Sequence, residues 1–224
     1  MYKYIKRAAD IVCALMGIIG TSPIWLLTMA GIYISDPGSV FYTSTRIGKN
    51  NKPFKMYKFR SMRNEKGANE SSLRADGNRI FPFGSLIRNL KIDELPQLLN
   101  ILNGTMSVIG PRPVANDQKD LFRIGRWNKA AEVPVGLSGP AALYDFIYGD
   151  SITDEKEYMV KVFPTRRELE STYVDKIGPV YDAKMVVYTV ICILYRLFGK
   201  NPEWILNEFI DVAKKSLEDN KSKS

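Results

Sequence analysis

The sequence predicts a mixed α/β fold, irregular α+β in kind, with short strands and several helices beside an apolar N-terminal segment. Three observations carry that expectation. Residues 11–35 contain no charged side chain and exceed the roughly 20 apolar residues that cross a bilayer. Residues 40–60 alternate apolar and polar side chains on either side of Gly48-Lys49-Asn50-Asn51-Lys52, as two strands around a turn do. From residue 83 onward, helical stretches alternate with segments punctuated by Pro and Gly.

The N-terminal segment admits two readings. Ser22-Pro23 lies at its middle, and a proline removes one helix hydrogen bond and crowds the preceding turn, so a kink is expected there. Each half is then about 12 residues, about 18 Å, which reaches partway through a core of roughly 30 Å. Both flanks are basic: Lys3, Lys6 and Arg7 before, and Arg46, Lys49, Lys52, Lys55 and Lys58 after. The positive-inside bias places both in the cytoplasm. A helix-break-helix hairpin dipping into one leaflet satisfies both facts, with Ser22 bonding a carbonyl freed at the kink. A kinked helix that spans the bilayer is the other reading. The run is too long for a cleaved signal peptide.

The remaining elements follow in order. Residues 63–79 are polar and read as a surface loop. Residues 83–103 read as helix interrupted at Pro96, residues 104–113 as a strand and turn, and residues 114–131 as an amphipathic helix. Residues 134–140 read as a turn-rich loop and residues 154–176 as a charged helix. The apolar run 183–198, with Tyr181, Tyr188 and Tyr195 seven residues apart, reads as an interfacial helix. From Pro202 an amphipathic helix leads to a disordered Lys/Ser end.

Composition narrows the chemistry. The net charge is +8, and residues 37–91 hold twelve Lys and Arg against three Asp and Glu. Such a block suits phosphates, whether of nucleotides, lipid headgroups or nucleic acid. There is no histidine, which removes imidazole bases, His-based triads and nearly all zinc-type sites. The two cysteines, Cys13 and Cys192, lie in apolar stretches and suggest no disulfide framework, in keeping with a reducing cytoplasm.

The most informative run is Lys91-Ile92-Asp93-Glu94-Leu95-Pro96-Gln97-Leu98-Leu99-Asn100. Two adjacent carboxylates repel, so one is protonated, paired with cations or bound to a metal. Neighbours on a helix do not share a face, which allows Asp93 and Glu94 different roles. By itself Asp93 also reads as a carboxylate at a helix N-terminus, and Glu94 as a surface acid paired with Lys91. Arg112, between two prolines after Gly110, is a rigidly presented guanidinium that can fork onto phosphate. Lys58, Arg60 and Arg88 are further candidate phosphate ligands. Glu170 and Asp182 are either acids supporting such a site or ordinary helix residues.

These residues together resemble a known family. Lys6-Arg7-Ala8-Ala9-Asp10-Ile11, the Ser22-Pro23 break, Arg46-Ile47-Gly48-Lys49, Lys58-Phe59-Arg60-Ser61-Met62, Asp93 through Asn100 and Gly110-Pro111-Arg112-Pro113 occur in the order and spacing of the bacterial sugar transferases, the monotopic phosphoglycosyl transferases. The resemblance covers about residues 4–185. It implies a re-entrant membrane hairpin over 1–36, with Ser22 and Pro23 at its turn. It also implies a cytoplasmic catalytic domain with interfacial helices over 37–200, leaving a C-terminal amphipathic helix and tail over 201–224. The larger members carry extra N-terminal spans and a soluble domain, so this chain is expected to be the minimal catalytic unit.

The implied reaction joins a sugar-1-phosphate from a nucleotide sugar, most often a UDP-sugar, to polyprenyl (undecaprenyl) phosphate. It takes place at the cytoplasmic face of the bacterial inner membrane and initiates glycoconjugate or polysaccharide assembly. The resemblance makes Asp93 the nucleophile, attacking the β-phosphorus to form an aspartyl phosphosugar and release UMP. Glu94 would hold Mg²⁺ against the diphosphate, a hard oxygen ligand for a hard cation. One stretch departs from the family pattern. Many members have Pro-Gly-[Ile/Leu]-Thr-Gly-x-Ala-Gln-Val, whereas Pro134 through Leu143 lacks the Gln and continues into Tyr144-Asp145-Phe146, which bears on sugar or nucleotide specificity. A membrane-anchored basic nucleic-acid-binding or scaffold protein is the alternative class, although no helix-turn-helix, zinc or RNA-binding motif appears.

Overall fold

A computed structural model describes residues 1–63 and 77–221. The strands expected at 40–60 are β1 (Phe41–Ile47) and β2 (Pro53–Phe59), antiparallel, with Thr43 opposite Tyr57 and Ile47 opposite Pro53. A two-residue strand, β4 (Val114–Ala115), joins the other edge of β1, leaving β2 at the edge of a three-stranded sheet. β3 (Met106–Ile109) pairs in parallel with β5 (Val135–Ser138). The central helical region is α2 (Pro82–Asn89), a short 3-10 turn and α3 (Gln97–Leu102), with Pro96 as the N-cap of α3. Most of the polar stretch read as a surface loop, residues 64–76, lies outside the described residues.

Three of the expected loop and helix assignments between residues 114 and 176 need correction. Residues 134–140 are not all loop: their middle is β5, which gains a ladder only because β3 lies alongside. Residues 114–131 do not form one helix. They divide into β4, a single-turn α4 (Lys119–Phe122) and a 3-10 stretch from Gly125 to Ala131. The helix stops because Arg123 leaves helical dihedrals, Ile124 is extended and Gly125 has φ 55°. The charged helix is two helices, α6 (Glu155–Lys161) and α7 (Phe163–Lys176), parted before Pro164, which takes an N-terminal position in α7 where its missing N–H costs nothing.

The N-terminal helix α1 (Tyr2–Ser35) stays helical through Pro23, so the full break expected at Ser22-Pro23 is absent. Proline leaves the Ile19 carbonyl without its helical donor, and the Ser22 hydroxyl donates to that carbonyl at 2.8 Å. At about 1.5 Å per residue, α1 is long enough to leave the domain altogether, yet it touches it at both ends. Arg7 donates to the carbonyls of Ile101 (2.5 Å) and Leu102 (2.8 Å), closing the C-terminus of α3. Asp10 accepts from Ser107 Oγ and Val108 N, covering the free edge of β3. Ala14 packs with Leu98 and Ile101, and further on Ile32 packs with Phe59, Phe81 and Ile87. Asp36 then receives the Arg60 guanidinium. Between these anchor points Ile19, Leu26, Leu27 and Ile34 face outward. Among the described residues α1 alone is long and apolar enough to cross a membrane.

The main core gathers α5 (Pro140–Ile147), α7, α8 (Pro179–Leu197) and α9 (Glu203–Lys221). The three tyrosines of α8 do not share one environment: Tyr195 is exposed, Tyr181 is half-buried and Tyr188 is buried. Tyr188 is buried against Trp204 and Phe209 and donates to Glu208, because α9 covers that side. The outward face is Val186, Val187, Val190, Ile193, Leu194 and Leu197. α9 is built into the domain through Ile205, Phe209 and Ala213, and the tail beyond it, 222–224, lies outside the described residues.

Candidate active site

Asp93 and Glu94 sit on the tight connection between α2 and α3. Lys91 adopts the left-handed conformation (φ 56°), turning the chain back, and Ile92–Glu94 then forms one 3-10 turn. At three residues per turn, successive side chains diverge by about 120°, so the two acids point different ways. Asp93 is buried at 4% exposure, while Glu94 is half-buried.

Strand β2 supplies the nearest cation. Lys58 Nζ lies 2.8 Å from Glu94 Oε1 and 3.9 Å from Asp93 Oδ2. Its strand is held in place by Asn100 of α3. The carboxamide accepts from Tyr57 N (2.9 Å) and donates to the Lys55 carbonyl (2.8 Å) and to Thr105 Oγ1 (3.1 Å). Those two backbone groups lie on the outer edge of β2, so the Asn100 amide takes the place of a neighbouring strand.

Arg112 follows β3 on a loop fastened to β5. Gly136 N donates to the Pro111 carbonyl (2.8 Å) and Gly110 N to the Ser138 carbonyl (2.9 Å). A Cβ on Gly110 would fall 2.5 Å from the Pro134 carbonyl oxygen, so only glycine permits this approach. The arrangement directs Arg112 toward Glu94. Arg88, in the last turn of α2, approaches Ser61 Oγ (3.4 Å) and Met62 Sδ (3.7 Å) and lends positive potential to Asp93.

The two acids are driven apart in ionisation. Burial raises the Asp93 carboxyl above its ordinary range; Lys58, Arg88 and Lys91 oppose this and the Glu94 charge reinforces it. Burial pushes Glu94 up as well, but Lys58, Arg112 and Lys91 outweigh it and hold its carboxyl well below the ordinary range. Asp93 Oδ1 is buried with no hydrogen-bond partner. One acid is therefore a firmly ionised anion and the other a poorly solvated carboxylate with an unused oxygen. Among the described residues no cluster of three metal-ligating side chains occurs. Glu94 alone fits a magnesium ion whose shell is completed by phosphate and water, which takes only one or two carboxylates.

Of the sequence-derived candidates, Asp93, Glu94, Lys58, Arg88 and Arg112 come together. Arg60 is not brought to them. It is 5% exposed, its guanidinium bonds the carboxylate and carbonyl of Asp36, and it lies over the Phe81 ring. Asp182 is likewise away from the pair, receiving Tyr2 OH (2.5 Å), Lys6 Nζ (2.7 Å) and Tyr173 OH (2.8 Å).

Behind Arg112 lies a buried ionic chain that sequence reasoning missed apart from Glu170. Asp145 Oδ2 is 3.8 Å from Arg112 Nε and 3.6 Å from Arg166 Nη1. Arg166 lies 3.5 Å from Glu170, which in turn lies 3.4 Å from Arg123. The i, i+4 spacing of Arg166 and Glu170 on one helix was the available signal.

A family model described as bacterial sugar transferase matches residues 1–196. The chain belongs to that family. It is 36% identical over 186 residues to the uncharacterised sugar transferase EpsL of Bacillus subtilis, covering 83% of this chain and 85% of that protein. It is 33% identical over 193 residues to the UDP-glucose:undecaprenyl-phosphate glucose-1-phosphate transferase of Escherichia coli, covering 84% of this chain and 40% of that one. Over 123 residues it is 42% identical to the UDP-N-acetylgalactosamine-undecaprenyl-phosphate N-acetylgalactosaminephosphotransferase of Aeromonas hydrophila, covering 54% of this chain. It spans only 29% of the Aeromonas protein's length. The family's shared segment thus includes α1, the acid pair and the Arg112 loop.

Proposed function

We propose that this chain is a phosphoglycosyl transferase that moves a sugar-1-phosphate from a UDP-sugar to undecaprenyl phosphate at the cytoplasmic face of the bacterial inner membrane. The observation that carries the reading is the acid pair with opposed ionisation, set between Lys58 and Arg112 in a domain fastened to an apolar helix at both ends. Relatives named for undecaprenyl-phosphate sugar-1-phosphate transfer support the same chemistry. In this reading α1 bends at Pro23 without a full break, so that it dips into one leaflet and returns, its two ends resting on one domain.

Each residue then has its own part. Arg112 and Lys58 bind the donor diphosphate. Asp93 attacks the β-phosphorus through a carboxylate oxygen, and the bond from that phosphorus to the bridging oxygen breaks, releasing UMP. Burial favours the attack because the carboxylate loses little hydration on reacting. An oxygen of the polyprenyl phosphate next attacks the same phosphorus, restoring the Asp93 carboxylate and yielding a polyprenyl diphosphate sugar. Glu94 is the residue that would hold Mg²⁺, which when bound would supply charge neutralisation to the diphosphate. A two-step route lets a water-soluble donor and a lipid acceptor use one site in turn.

The test is a panel of UDP-sugars given to the detergent-solubilised protein with undecaprenyl phosphate. Release of UMP with formation of a lipid-linked diphosphate sugar is the expected result. Release of UDP would indicate transfer of sugar without phosphate, and no nucleotide release from any donor would oppose the proposal.

A further inference from the structure

We infer that Asp145 is a positioning residue that orients Arg112 toward the donor diphosphate, an inference resting on the reading of Arg112 as a phosphate ligand. Asp145 belongs to Tyr144-Asp145-Phe146, where the chain leaves the family's sequence pattern. It is 6% exposed on α5 and fixed on two sides. Tyr158 OH donates to Oδ1 at 2.8 Å and itself accepts from Arg166 Nη1 at 2.7 Å. Gly149 closes over the same oxygen: a Cβ there would stand 2.2 Å from Oδ1. Oδ2 is left between Arg166 Nη1 and Arg112 Nε.

The geometry sets the use of each edge of the guanidinium. Arg112 is planar, and its Nε side faces Asp145. The edge formed by its two terminal nitrogens therefore points away from Asp145, and that edge can fork onto a phosphate. Arg112 also feels Glu94, which would draw the guanidinium onto the acid pair if no second anion held it back. Asp145 stays ionised and can hold the guanidinium: burial works against its charge, but Arg166, Arg112 and the Tyr158 hydroxyl keep its carboxyl below the ordinary range. It acts on the substrate through Arg112 and touches no reacting atom.

A double-mutant cycle tests the pairing. Asp145→Asn should lower kcat/KM for the UDP-sugar about tenfold, with the change in KM for the donor and little change for undecaprenyl phosphate. In an Arg112→Lys background the same substitution should have almost no further effect, because the fork it orients is gone. A merely structural role for Asp145 would give equal losses in both backgrounds, and that result, or wild-type kinetics for Asp145→Asn, overturns the inference. If Asp145→Asn fails to fold, Tyr158→Phe, which loosens Asp145 without removing its charge, carries the same cycle. The affinity of the four proteins for UDP, measured by calorimetry, reads the coupling without turnover. Coupled UDP affinities in a protein that releases no UMP would count against the proposed reaction and not against the pairing.

Discussion

Asn100→Ala probes how the catalytic edge is held. The side chain is fully buried and makes hydrogen bonds to Tyr57 N, the Lys55 carbonyl and Thr105 Oγ1. Three bonds at a net of about 1 kcal/mol each give about 3 kcal/mol. Two backbone groups of β2 are also left without partners, adding about 1–3 kcal/mol each unless water enters the space vacated. The expected loss is therefore about 3 kcal/mol if water fills the space and about 5 kcal/mol or more if it does not. For a chain of this size each kcal/mol moves Tm by about 2–4 °C, so a drop of about 6 °C or more should appear in thermal unfolding in detergent. Lys58 lies one residue beyond Tyr57, so kcat/KM should fall together with Tm at temperatures where the protein is still folded. Asn100→Asp should not restore it, since it keeps an acceptor for Tyr57 N but turns an anion toward the Lys55 carbonyl. A melting temperature within about 2 °C of wild type for Asn100→Ala would refute the idea that this amide closes the sheet edge.

Other perturbations address the chemistry and the topology. Asp93→Asn should abolish turnover while unfolding normally, and wild type quenched with donor alone should carry a phosphosugar mass on Asp93; full activity of the variant would exclude the nucleophile role. The raised Asp93 carboxyl implies that kcat/KM falls on acidification at a pH above the ordinary aspartate range, read from a pH–rate profile. Glu94, held low, contributes stability that is fully present above its unfolded value of about 4.3 and is lost as pH falls toward its folded value. Chelation should stop turnover and Mg²⁺ should restore it, with Glu94→Gln slower and less responsive to metal; undiminished turnover in excess chelator would contradict a metal role. Replacing Ser22 and Pro23 together by Ala straightens about 24 residues into a segment of roughly 36 Å, long enough to span, so a fraction of molecules should turn the N-terminus outward. A cysteine at exposed Tyr4, with exposed Cys13 replaced by Ser, reports this by labelling from each side. Periplasmic labelling of that reporter in a protein retaining Ser22-Pro23 would rule out the re-entrant reading.

Much of the fold was legible because its signals are local. The alternation in residues 40–60 marks β1 and β2, and Pro96 marks the start of α3. The acid pair stood out because two adjacent carboxylates at the end of a basic block must be held apart by something. What escaped notice depends on distant partners. β5 is a strand because β3 lies beside it, and no periodicity within Pro134–Pro140 records that. The α8 tyrosines recur at sevenfold spacing, but α9 covers Tyr188 and leaves Tyr195 exposed, which spacing alone does not record. Arg60 shares its sequence motif with Lys58, and strand alternation would put both on one face, yet β2 ends at Phe59 and Arg60 beyond it turns to Asp36. Asp145 and Arg166 are separated from Arg112 by long stretches of chain, so their approach to it exists only in three dimensions.

The way α1 is fastened has a practical consequence for handling the protein. Deleting residues 1–36 would not amount to cutting a tether. It would strip Arg7 from the end of α3, Asp10 from the edge of β3, Ala14 and Ile32 from two apolar clusters, and Asp36 from Arg60. The Arg60 guanidinium would be left buried without its anion, and a β-edge would lie open to other copies. A truncation designed to yield a water-soluble fragment should therefore misfold or self-associate. Solubility is better sought by changing the outward-facing side chains of α1 and α8 and leaving the inward ones in place.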